Sequence, residues 1–149
     1  MATPGHHEAA VTILDPWTGW LLTGDTVYPG RLYAFDFPAF QDSLQRMVQL
    51  AEARTVTHVM GSHVEMTRRP GRDYPIGARY QPDEAPLPMT LDQLRTIRDA
   101  ARDVAARPGA HTFDDFIIFN GRCIPALLRQ LIRSFGRELR STVAPGSLH

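Results

Sequence analysis

The sequence predicts an α/β domain built on a mixed sheet with flanking helices. Three observations carry that expectation: two short apolar runs joined by a turn, helical periodicity after Pro38, and a strand pattern again from Thr55. A hairpin followed by a helix and a further strand is the opening of a sheet with a crossover connection. At 149 residues, one domain with a substantial core is the natural size.

Each element has a local reason. Ala9 to Leu14 is β-branched and apolar, which suits a strand. Asp15-Pro16-Trp17-Thr18-Gly19 supplies turn chemistry, and Trp20 to Thr23 reads as the return strand, ended by Gly24-Asp25. From Pro38, the residues Phe40, Leu44, Met47, Val48 and Ala51 recur on one helical face, with Asp36 placed to cap the first turn. Thr55 to Met60 is the third strand, and it stops at Gly61-Ser62-His63.

The segment from Met66 to Met89 holds Pro70, Pro75, Pro82, Pro86 and Pro88, so it is expected to be an irregular loop. Thr90-Leu91-Asp92-Gln93 is a capping box that opens a helix with Leu94, Ile97, Ala101 and Val104 inward. Phe113 to Phe119 is expected to be the last strand. Residues 122–140 form a cationic amphipathic helix in this reading. Ile124, Leu127, Leu128, Leu131, Ile132 and Phe135 line its apolar face, opposite Arg129, Arg133, Arg137 and Arg140. That helix covers the sheet with a solvated Arg face, and residues 141–149 are a disordered tail.

Topology brings three chemically useful residues together. In a hairpin the start of the first strand and the end of the second share one sheet edge, which places His6 near Asp25. A parallel crossover through the helix then puts the end of the third strand, with His63, at the same edge. Two imidazoles and a carboxylate suit Zn²⁺, Fe or Mn²⁺. Taken singly, each has an ordinary reading as a loop, turn or hydrogen-bonded core residue, and their convergence is what favours the metal reading. His7, His58, His111 and His149 are read as structural or solvated.

Composition narrows the function classes. The formal net charge is zero, which removes any long-range attraction to nucleic acid or anionic membrane. All sixteen basic residues are Arg, a bias that also suits bidentate anion binding. The single cysteine, Cys123, excludes an intrachain disulfide and a thiolate metal cluster. No signal-like or membrane-spanning run is present, so a cytoplasmic location is the default expectation.

Thr3-Pro-Gly-His6, Leu21-Leu-Thr-Gly-Asp-Thr26 and Val59-Met-Gly-Ser-His63 together resemble the metallo-β-lactamase fold superfamily, over about Thr3 to Asn120. The resemblance implies that His6 is a ligand of the first metal, Asp25 the carboxylate bridging both and the catalytic centre's anchor, and His63 a ligand of the second. It implies a two-zinc site whose shared hydroxide attacks an ester, thioester, lactone or similar bond of a small-molecule substrate. The superfamily's His-x-His-x-Asp-His motif does not occur in the chain.

The fold expected from this resemblance is the C-terminal half of an αββα sandwich, as a partial domain over residues 1–121. One histidine per metal plus a shared aspartate falls short of the three protein ligands that catalytic zinc uses. The expectation is therefore an incomplete hydrolase, either truncated or split with an N-terminal partner chain supplying the missing half, and inactive as an isolated chain unless completed. The alternative is a non-enzymatic remnant that forms a homodimer or binds a partner through its bare sheet. Val11, Ile13, Leu21 and Val59 are expected on that bare face. Glu65 is placed to support His63 indirectly. Arg68, Arg69, Arg72 and Arg79, with Tyr74 and Tyr80, are loop candidates for substrate contact.

Overall fold

The computed structural model describes residues 1–121 and, beyond them, Ile132 alone. The cationic helix and tail expected at 122–140 and 141–149 therefore lie outside the described residues, except Ile132, which was expected on the apolar face and is 62% exposed. The described elements, in chain order, are β1 (Ile13–Asp15), β2 (Trp20–Gly24), β3 (Arg31–Ala34), α1 (Phe37–Ala53), β4 (His58–Gly61), β5 (Pro88–Met89), α2 (Leu91–Asp103), β6 (Gly109–Thr112) and β7 (Ile117–Asn120).

The described elements form a mixed α/β fold of two sheets and two helices. One sheet has the order β1-β2-β4-β5 and the other β3-β7-β6. As expected, β1 and β2 form an antiparallel hairpin, and β2 pairs in parallel with β4 through the α1 crossover. In the second sheet β3 lies parallel to β7, and β7 pairs antiparallel with β6.

The helices form where capping chemistry places them. The Asp36 side chain accepts from the Ala39 amide at 3.1 Å, and Pro38 occupies the first turn, where its missing N–H costs nothing. Phe40, Leu44, Met47, Val48 and Ala51 are buried along one face of α1. In α2 the capping box is complete: Gln93 N donates to Thr90 Oγ1 and Thr90 N donates to Gln93 Oε1. Leu94, Ile97, Ala101 and Val104 are buried, as the periodicity requires.

Both sheets and both helices share one core. Leu21 and Val59 from the first sheet, Leu32 and Ile118 from the second, and the inward residues of α1 and α2 form a single apolar cluster. A smaller cluster of Met66, Ile117 and Phe119 lies on the opposite face of the second sheet.

Several expectations are corrected. The first strand begins at Ile13 rather than Ala9; upstream of it Val11 only bridges to Ala2. The last strand is Ile117–Asn120, and Phe113 lies in the turn after β6, its N–H bonded to the Phe116 carbonyl at 2.9 Å. Three strands, β3, β5 and β6, lie where no strand was expected, and the strand expected from Thr55 to Met60 runs instead from His58 to Gly61. Polar Arg31 and the Gly109-Ala-His-Thr112 composition hide the strand pattern of β3 and β6.

Among the described residues, nothing covers the face of the first sheet turned away from the helices, and its membership differs from expectation. Leu21 and Val59 are fully buried because they point toward α1 and α2. Val11 and Ile13 are exposed as expected, and the other outward residues are Trp20 and Leu22. The period-two alternation of a strand decides this, since neighbours in β2 must face opposite ways. Among the described residues, no helix is long and apolar enough to cross a membrane.

Candidate functional site

The rim site begins with a tight turn after β2. Gly24 has φ +56°, a left-handed conformation that glycine takes without a Cβ penalty. The pairing of β2 with β4 shifts register between Leu22 and Gly24, which bends the strand end outward. Thr23 Oγ1 donates to the Val27 carbonyl at 2.6 Å and contacts the Met60 carbonyl at 3.1 Å. The Ser62 N–H donates to the Gly24 carbonyl at 3.1 Å. These bonds fix Asp25 beside the end of β4.

His63 is held on the other side of that junction. Its Nδ1 lies 3.4 Å from Asp25 Oδ1 and 2.9 Å from Ser62 Oγ, and the Ser62 hydroxyl also donates to the Asp25 carboxylate. The His63 ring packs on Tyr28 with centroids 4.2 Å apart. Both side chains are about half exposed, His63 at 45% and Asp25 at 50%, so the pair is open to a ligand.

The Tyr28 ring sits where two glycines make room. A Cβ on Gly61 would meet Tyr28 Cβ at 2.2 Å, and one on Gly30 would meet Tyr28 Cε2 at 2.1 Å. Beneath the ring, Tyr28 Oη donates to the Arg31 carbonyl at 2.6 Å and lies 3.1 Å from Glu65 Oε2. Burial, reinforced by the Glu65 carboxylate, holds the phenol neutral far above its ordinary range.

Glu65 belongs to a buried ion network. Arg31 Nη2 lies 2.5 Å from Glu65 Oε1, and Arg31 Nη1 lies 2.9 Å from Asp73 Oδ2 and 2.7 Å from the Tyr74 carbonyl. Burial alone would lower the guanidinium's pKa, and Glu65, Tyr33 and Asp73 together more than offset that, so Arg31 stays charged. Glu65 Oε1 is also 4.0 Å from His63 Nε2. The network thus anchors the start of the 65–85 segment next to His63.

His6 reaches the same rim from the N-terminal segment. Gly5 has φ +133°, and a Cβ there would meet Phe40 Cα at 2.5 Å, so only glycine lets the backbone lie on α1. Ser43 Oγ donates to the Pro4 carbonyl at 2.7 Å, and the Asp36 N–H donates to the Gly5 carbonyl at 3.0 Å. His6 Nδ1 lies 3.0 Å from the Tyr33 carbonyl, which leaves Nε2 for another partner. A cleft of about 190 Å³ has His6, His7, Val11, Asp25 and Thr26 among its walls. The buried Thr26 hydroxyl has no hydrogen-bond partner among the described residues.

The three expected residues are linked pairwise through Asp25. Asp25 and His63 are in contact, and His6 and Asp25 share the cleft. The donor chemistry suits zinc, but among the described residues no three His, Cys, Asp or Glu side chains close around a single point. Of the loop candidates, Arg68, Arg69, Arg72, Arg79 and Tyr80 are exposed. Tyr74 is turned inward, and its phenol oxygen accepts from the Asp83 N–H at 2.8 Å, so it is engaged within the loop.

Sequence reasoning missed Tyr28, Arg31 and Ser62. The available signals were a tyrosine between two potential turns and a lone arginine in the unrecognised third strand of the chain. Comparison with family models, curated proteins and solved structures finds no match.

Proposed function

We propose that the chain is the C-terminal half of a metallo-β-lactamase-type αββα sandwich, carrying part of a zinc hydrolase centre. The observation that supports this most directly is the 3.4 Å contact of Asp25 with His63 beside a cleft that His6 also lines. In this reading His6, Asp25 and His63 contribute the chain's metal ligands. The completed centre hydrolyses an ester, thioester, lactone or related bond in a small molecule.

The isolated chain does not turn over substrate in this reading, since its donors fall short of three per metal. Zinc titration by calorimetry on wild type and Asp25→Asn tests it. The expected outcome is weak uptake by wild type, lost in Asp25→Asn, with no esterase or lactonase turnover in either. Tight uptake of two zinc ions per chain with turnover would overturn the claim of incompleteness. Uptake indifferent to Asp25 would overturn the site.

A further inference from the structure

The first sheet's outward face carries a pattern that its inward face does not explain. Strand pairing aligns Ile13, Leu22, Met60 and Pro88 in one row across all four strands. The next row is Asp15, Trp20 and His58, with Trp20 in the middle. Ile13, Trp20 and Leu22 are 55%, 42% and 38% exposed, so this apolar surface is presented to solvent.

We propose that this face pairs with the same face of a second copy, about a two-fold axis that runs along β2. The argument is the complementarity of a carboxylate acceptor and an imidazole donor. Asp15 and His58 flank Trp20 at equal distance, roughly one strand spacing of about 4.8 Å on either side. Rotation about an axis parallel to β2 exchanges left for right, so Asp15 of one copy faces the second copy's His58, twice over. Trp20 faces Trp20, Leu22 faces Leu22, and Ile13 faces Met60. Rotation about an axis across the strands would set Asp15 against Asp15, and the like charges oppose it.

The donors are available for that arrangement. Asp15 is held anionic by the Thr18 hydroxyl and the Trp17 N–H. His58 Nδ1 contacts Thr57 Oγ1 at 3.1 Å, and its Nε2 has no partner among the described residues. The chain's zero net charge removes long-range repulsion between copies. Closed two-fold pairing is the commonest form of oligomer, and sheets stack about 10 Å apart with strands crossing at about 30°. Four short strands make a small interface, so affinity in the micromolar range is expected.

Sedimentation of the full chain over the micromolar range, combined with cysteine cross-linking in a Cys123→Ser background, tests the proposal. Wild type should show a monomer–dimer equilibrium, weakened about tenfold or more by Leu22→Arg. Trp20→Cys should give a disulfide-linked dimer on oxidation. Asp15→Cys and His58→Cys should each cross-link poorly alone and efficiently when mixed. Circular dichroism on each variant confirms that the fold is retained. A wild-type monomer overturns the proposal, whether residues 122–149 or another protein closes the face. So does a dimer indifferent to Leu22→Arg, a dimer in which Asp15→Cys links to itself, or open-ended aggregation. Zinc uptake is read separately, so this test can fail while the hydrolase reading stands.

Discussion

Gly61 is the residue at which packing and the rim meet most directly. Its missing Cβ is filled by Tyr28, whose ring carries His63 on its other side. Gly61→Ala should destabilise the fold by about 1–3 kcal/mol, because a backbone-anchored atom cannot give way as a flexible tip can. Urea unfolding of wild type and variant measures this. Tyr28 makes a second prediction. Its pKa in the folded state is raised, through burial and then Glu65, while in the unfolded chain it titrates near the ordinary 10.0. Below pH 10 both states are protonated; above it only the unfolded chain releases the proton. Unfolding free energy should therefore fall by about 1.4 kcal/mol per pH unit as pH rises past 10, with a shallower slope in Tyr28→Phe. Denaturant unfolding between neutral and alkaline pH checks it.

At the scale of elements, the helix caps were the most legible feature of the chain. Asp36 and Thr90 satisfy amides that would otherwise be orphaned at the first turns of α1 and α2. Asp36→Ala and Thr90→Ala should each cost about 0.5–2 kcal/mol, and they should add, since the two caps share no partner. Thermal unfolding of the single and double variants measures both. Capping, turn chemistry and helical period are local rules, so a single sequence displays them. The strands β3 and β6 were illegible for the opposite reason. Arg31 is buried in a strand only because Glu65 and Asp73, distant in sequence, neutralise it there. Likewise, the rim was readable through topology, since hairpin and crossover fix which strand ends coincide. Tyr28 and Ser62 were not, because their roles rest on contacts with the ends of other elements.

At the scale of the whole molecule, one core serves both sheets, and that has thermodynamic consequences. Leu44 is fully buried on α1 within the cluster that joins Leu21 and Val59 to Leu32 and Ile118. Leu44→Ala should lower stability by about 2–5 kcal/mol through lost burial and the cavity left behind. It should do so for both sheets together. Hydrogen exchange of amides in β2 and β7 is the measurement, and equal losses of protection are the expected result. Unequal losses would mean that the sheets open independently.

The uncovered side of the first sheet also determines what the protein's own fluorescence reports. The chain has two tryptophans, Trp17 at 94% exposure and Trp20 at 42%, and neither enters the shared core. Indole emission from the free chain is therefore already close to that of solvated tryptophan. Melting the interior will scarcely shift it, whereas anything that settles over β2 will move it toward the blue. The natural chromophores act as a reporter of contact made from outside, and tyrosine or amide signals must follow the interior.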